Sequence, residues 1–84
     1  MLVFLAIAAA ATPVTDPPAV RALIDRRTAC NHWSGEEPYD PARARQIEHA
    51  IRTLRCDTLD ADERRLKIRY RGDPHILQRL ATDR

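Results

Sequence analysis

Hydrophobic residues recur at helical spacing soon after the start of the polar part of the chain. Val20, Leu23 and Ile24 follow the i, i+3, i+4 spacing that places apolar groups on one helix face. Asp16 precedes two prolines, an arrangement typical of a helix start, because the carboxylate can cap the first turn and proline needs no backbone donor there. The pattern predicts a first helix capped by Asp16 and running to about Ala29.

The same start signal, an aspartate followed by a proline, occurs twice more, at 40–41 and at 73–74. The first of these predicts a helix whose apolar stripe extends to Cys56 and consists of Ala44, Ile47, Ala50, Ile51 and Leu54. The second predicts a short final helix with three inward-facing residues, Ile76, Leu77 and Leu80. The segments between the signals differ in length and pattern, so they do not indicate an internal repeat.

Residues 60–72 fit two patterns. Asp60 and Glu63 resemble a capping box, and Gly72 suits a helix end. Residues 66–71, however, alternate apolar and basic side chains, as in a strand. Because no second alternating run is present to pair with, a strand would leave its backbone groups unsatisfied, and we expect a helix with Ile68 facing outward or toward a partner.

The chain begins with an apolar run that is typical of a secretory signal peptide. Residues 2–11 contain no polar side chain, and a helix of that length spans roughly 15 Å, about half of a bilayer core. Small residues at positions 9 and 11 predict cleavage after Ala11. No Lys or Arg precedes the run, so either the signal is atypical or the start lies upstream. We predict a signal at 1–11, a proline-rich tether at 12–18 and a single helical domain at 19–84, without a membrane span after cleavage.

Export bears on the two cysteines, Cys30 and Cys56, which in an oxidising compartment would pair as a disulfide. Closing this loop would stabilise the fold by about 3 kcal/mol, a large share of what so small a core can supply. The predicted fold class is therefore all-α, a small bundle of three or four short helices stapled by one disulfide.

Functional side chains are densest in residues 31–40, which we predict to be a loop. The candidate binding residues there are His32, Trp33, Glu36, Glu37 and Tyr39. Their aromatic faces and carboxylates suit a protein or glycan partner. The structural alternative is that Trp33, the single tryptophan, covers the disulfide, while the two glutamates are a solvated turn.

Charge is nearly balanced, with 14 basic and 12 acidic residues, so the chain is not a polycation suited to nucleic acid. The basic residues of 64–71 spread around a helix, which favours a solvated face, with anionic lipid or polysaccharide as the lesser alternative. No phosphate-binding glycine loop, dinucleotide motif or nucleophile elbow is present, so we expect no cofactor and no enzyme activity. The leading hypothesis is a periplasmic or secreted, non-enzymatic accessory protein acting through 31–40 on an envelope protein or glycan.

Two alternatives come from the residue types. Cys30, His32, His49 and Cys56 form the ligand set of a structural zinc site in a cytosolic domain, although their spacing matches no zinc-finger pattern. His32 with Glu36 or Glu37 is the starting point for a small envelope hydrolase.

Intact mass of the protein from its native host tests export and pairing together. We expect a chain that lacks residues 1–11 and gains the mass of two hydrogens on reduction, because a disulfide has lost them. An unprocessed chain with two free thiols would contradict both predictions.

Overall fold

The computed structural model describes residues 16–82, which form four α-helices and one short 3-10 helix. In chain order these are α1 (Pro18–Ser34), α2 (Pro41–Thr53), the 3-10 helix (Cys56–Thr58), α3 (Leu59–Arg69) and α4 (Pro74–Ala81). No strand occurs in this part of the chain, and Cys30 is bonded to Cys56. The predicted all-α fold with one disulfide is confirmed. The predicted signal, and the tether up to residue 15, lie outside the described residues.

Two of the three predicted aspartate caps are confirmed. Asp40 accepts a hydrogen bond from the backbone N–H of Arg43 at 2.7 Å, and Asp73 accepts one from that of Ile76 at 3.2 Å. The prediction for Asp16 is wrong, because α1 starts one residue later, with Pro17 at the cap position. The Asp16 carboxylate instead accepts a hydrogen bond from Arg79 Nε at 3.0 Å, which ties the start of α1 to α4.

The first helix is longer than predicted. It continues past Ala29 to Ser34, because no glycine or proline interrupts residues 29–34, and it ends where the backbone N–H of Gly35 donates to the carbonyls of Asn31 and His32. The predicted loop at 31–40 is therefore wrong over its first four residues, 31–34. The non-helical connection between α1 and α2 is limited to residues 35–40.

The second helix is shorter than its apolar stripe predicts, ending at Thr53 instead of Cys56. Arg55 adopts the left-handed conformation, with φ 54° and ψ 51°, and this turns the chain into the 3-10 helix. A non-glycine residue in this conformation costs roughly 1–2 kcal/mol. The turn delivers Cys56 to its disulfide partner on α1.

The third segment is helical, as predicted, up to Arg69, and Ile68 faces outward with 64% of its surface exposed. The predicted capping box is wrong. Asp60 lies inside the first turn of α3 rather than at its cap, and Thr58, at the cap position, makes no side-chain capping hydrogen bond. Glu63 is buried and binds Arg27 of α1 instead of the helix start.

The hydrophobic core lies among α1, α3 and α4. Its buried residues are Val20, Leu23, Ile24, Ile76 and Leu80, with Leu59 and Leu66 of α3, and Tyr70 directly after it, packed against them. Leu77, predicted to face inward, is only partly buried. Ile47, the one buried residue of α2, lies outside this cluster, so α2 depends on other contacts. No helix within residues 16–82 has both the length and the apolar character needed to cross a bilayer.

A buried ion pair joins α1 to α3 beside this core. Arg27 donates to Glu63, and each side chain is only 10% exposed. Arg27 also donates to the carbonyl of Thr82 at 3.1 Å, and Lys67 Nζ lies 3.6 Å from the Glu63 carboxylate. Removing one partner would leave the other charge buried with too little compensation.

A double-mutant comparison tests this pair. We expect Arg27→Met or Glu63→Leu alone to lower the free energy of unfolding by about 3–5 kcal/mol, and the double variant to lose less than either single variant. Urea unfolding followed by circular dichroism measures the difference. The matched control is Arg52→Met, since its pair with Glu48 is exposed and contributes about 0.5 kcal/mol or less. Additive losses in the double variant would contradict the interpretation.

Candidate functional site

The turn between α1 and α2 brings together most of the side chains that the sequence singles out. The extension of α1 places His32 and Trp33 on its last turn, two and three residues after the buried Cys30. Glu36 follows the helix end, and Tyr39 precedes the cap of α2. The disulfide and the Asp40 cap thus flank the turn on its two sides.

Arg43, on the first turns of α2, joins the two sides of this turn. Its guanidinium carbon lies 5.2 Å from the centre of the Trp33 ring, within cation–π range, and Nη2 is 3.4 Å from Glu36 Oε2. Nη1 donates to Gln46 Oε1 at 2.7 Å, which fixes the guanidinium from its own helix. We call Arg43 with Trp33, Glu36 and Gln46 the Arg43 clamp. The sequence analysis missed Arg43, since no local pattern links it to Trp33.

Glu36 has a second partner. His32 Nε2 lies 3.3 Å from Glu36 Oε1, and the His32 ring meets Trp33 edge-on, with centroids 5.6 Å apart. Glu36 Oε1 therefore faces His32, and Glu36 Oε2 faces Arg43. Trp33 and Glu36, predicted as binding residues, are engaged within the protein and support the turn.

Three of the predicted binding residues remain turned toward solvent. Tyr39 is 79% exposed, and Glu37 and His32 are exposed as well. Pro38 restricts the backbone before Tyr39, and the capping hydrogen bond of Asp40 orders the backbone after it. The turn thus presents an aromatic side chain from a backbone that is constrained on both sides.

The structure does not bring the four candidate zinc ligands, Cys30, His32, His49 and Cys56, together as a metal site. The two sulfur atoms are bonded to each other, and His49 is exposed on α2. Over the described residues 16–82, no group of three or more His, Cys, Asp or Glu side chains is arranged to hold a metal ion.

One of the two residue pairs considered for a hydrolase, His32 with Glu36, is close together in the structure. This pair is poorly placed for acid–base chemistry, because Glu36 is shared with Arg43 and the His32 side chain is 64% exposed to water. Its geometry suits the support of the turn better than catalysis.

A second surface, which the sequence analysis missed, is an open groove of about 360 Å³ between α1 and α3. Ala19, Ala22, Leu23 and Leu66 form its apolar floor, and Asp62 at its edge receives hydrogen bonds from Arg26 at 2.6 Å and Arg65 at 3.0 Å. The hydrogen bond from Arg26, then that from the Thr58 hydroxyl, lowers the pKa of Asp62 below its ordinary value of 3.8. The groove edge therefore keeps a negative charge bracketed by two arginines.

The fluorescence of Trp33, the single tryptophan, reports on the Arg43 clamp. We expect Arg43→Ala to shift the Trp33 emission to longer wavelength and to increase acrylamide quenching, because one face of the ring loses its cover. Arg45→Ala, an exposed arginine of the same helix, is the matched control. Identical spectra for the two variants would show that the clamp does not cover Trp33.

Comparison with known proteins finds no family model, curated protein or solved structure that matches this chain.

Proposed function

We propose that this chain is an exported, non-enzymatic binding protein that contacts a protein partner through the turn between α1 and α2. The contact residues are His32, Glu37 and Tyr39, and the Arg43 clamp stabilises the turn that carries them. The observation that carries the proposal is the 79% exposure of Tyr39 on a turn bounded by a capping hydrogen bond, a proline and an ion-paired arginine.

An ordered, exposed tyrosine is favourable for protein recognition. Its ring offers a large contact area with few rotatable bonds, and its hydroxyl can donate or accept a hydrogen bond. Because the backbone on both sides is already constrained, binding would require little further ordering. Glu37 and His32, which are also exposed, supply further polar groups from the same connection between α1 and α2.

A protein partner is favoured over a glycan. Sugar rings are usually bound against an open aromatic face, and here the guanidinium of Arg43 covers a face of Trp33. Tyr39 remains as one isolated aromatic group, which suits insertion into a pocket on a partner better than a stacking platform.

Export is supported by the sulfur chemistry of the chain. A disulfide persists in oxidising compartments and is rare in the cytosol, and Cys30 pairs with Cys56 in this fold. The apolar residues 2–11 supply the expected signal for secretion to the periplasm or the exterior.

Affinity capture from the envelope fraction of the host, followed by titration of the captured protein, tests the proposal. We expect Tyr39→Ala to weaken binding at least tenfold, since a central aromatic anchor contributes about 2 kcal/mol or more. Tyr39→Phe separates the contribution of the ring from that of the hydroxyl.

His49→Ala, which changes an exposed side chain of α2 away from the turn, is the control and should bind like the wild type. Unchanged affinity of Tyr39→Ala, with unchanged unfolding, would remove the turn as the contact surface. If the protein instead binds a glycan, and Tyr39→Ala abolishes that binding, the partner of the turn is a carbohydrate and not a protein.

A further inference from the structure

The outward face of α3 combines features that the packing of the fold does not use. Leu59, Leu66 and Tyr70 lie on the side that packs against the core, together with the buried Glu63. Ile68 lies on the opposite side, because it is two residues from both Leu66 and Tyr70, a rotation of roughly 200° at 100° per residue. It is one of two large hydrophobic residues that are strongly exposed in the described part of the chain.

Arginines surround this isoleucine. Arg64 and Arg65 precede Ile68 by four and three residues, which are the spacings of neighbours on one helical face, and Arg71 lies in the turn that follows the end of α3 at Arg69. Arg69 adjoins them, with its guanidinium 5.6 Å from the centre of the Tyr70 ring. All four arginines are exposed. We call these residues, Arg64, Arg65, Ile68, Arg69 and Arg71, the arginine face.

The positive charge of the arginine face is only partly compensated. Residues 64–71 contain five basic and no acidic side chains, and of these Lys67 turns toward Glu63. Arg65 is paired with Asp62 at 3.0 Å, but its own side chain is 76% exposed. Within residues 16–82, Arg64 and Arg71 form no ion pair. A ligand for this face must therefore supply several negative charges around one apolar contact.

We infer that the arginine face binds the surface of an anionic phospholipid bilayer, with α3 lying along the interface. Phosphates at a bilayer surface can meet guanidinium groups at any position, and Ile68 can enter the acyl boundary between them. An acidic protein would need a pocket for Ile68 ringed by matching carboxylates. A nucleic acid or polysaccharide would use the arginines and leave Ile68 without an apolar contact.

The expected affinity is that of reversible, peripheral attachment. A basic residue at an anionic surface contributes about fivefold to partitioning, so the three arginines without an ion pair, Arg64, Arg69 and Arg71, give about a hundredfold. Burial of the exposed part of Ile68 in the bilayer increases partitioning by about a further tenfold. This interaction is independent of the turn at Tyr39, which lies in a different connection of the fold, between α1 and α2.

Vesicle sedimentation tests the inference. The processed protein is purified from its host in the same form for every variant, as verified by intact mass, so that any contribution from residues 1–15 is common to all. We expect binding to vesicles of 30% phosphatidylglycerol in phosphatidylcholine to exceed binding to pure phosphatidylcholine at least hundredfold, and to fall steeply in 0.5 M NaCl.

Variants separate the charges from the apolar contact. Arg64→Gln/Arg71→Gln should lower partitioning about 25-fold, and Ile68→Ser about tenfold. The matched control, Arg21→Gln/Arg45→Gln, removes the same charge from exposed positions of α1 and α2 and should retain most of the binding. Because all of these side chains are exposed, circular dichroism should show the same helical fold throughout.

Equal binding to neutral and anionic vesicles would overturn the inference, as would equal losses for the arginine-face variant and its control. Binding to an anionic polysaccharide or acidic protein that survives Ile68→Ser, without vesicle binding, would assign the face to that partner instead.

Discussion

The Cys30–Cys56 disulfide holds the part of the fold that the hydrophobic core does not reach. The core cluster is built by α1, α3 and α4, whereas α2 buries Ile47 outside it. The disulfide spans 26 positions and encloses α2 with the turns on either side of it. Restricting the unfolded chain in this way stabilises the fold by about 3 kcal/mol. The Arg43 clamp and the turn it supports therefore depend on a covalent link at their base.

Polar bridges complement the small core along α1. Arg26 binds Asp62 and its neighbour Arg27 binds Glu63, so adjacent residues of α1 both reach α3. The two pairs differ in physical character. Arg26 and Asp62 remain partly exposed, where water screens their attraction, whereas Arg27 and Glu63 are largely removed from water. The buried pair thus restricts how α1 and α3 can pack more strongly than its partly exposed neighbour does.

Features set by local chemistry could be predicted from the sequence, and features set by distant partners could not. The caps at Asp40 and Asp73 and the outward position of Ile68 follow from spacing within one segment. Glu63 shows why such reasoning fails elsewhere, because its local pattern fits a capping box while its partner, Arg27, is 36 residues away. The left-handed turn at position 55 could not be predicted, because Arg55 is neither glycine nor asparagine, the residues that usually adopt this conformation. The role of Arg43 likewise depends on Trp33, on another helix.

The distribution of ion pairs explains how a protein with a small net charge has a locally cationic surface. Over the whole sequence the balance is only +2, which argues against a strongly cationic protein. Within the fold, however, acidic side chains are engaged by arginines of other elements, namely Asp62 by Arg26, Glu63 by Arg27, Glu36 by Arg43 and Asp16 by Arg79. Glu36 and Asp16 are held by arginines of α2 and α4, and screening confines their field to about 10 Å at 0.1 M salt, whereas Asp62 and Glu63 also lie beside Arg65 and Lys67 of α3. Arg64, Arg69 and Arg71 form no ion pair within residues 16–82. The outward side of α3 can therefore be locally cationic in a protein that is almost neutral overall.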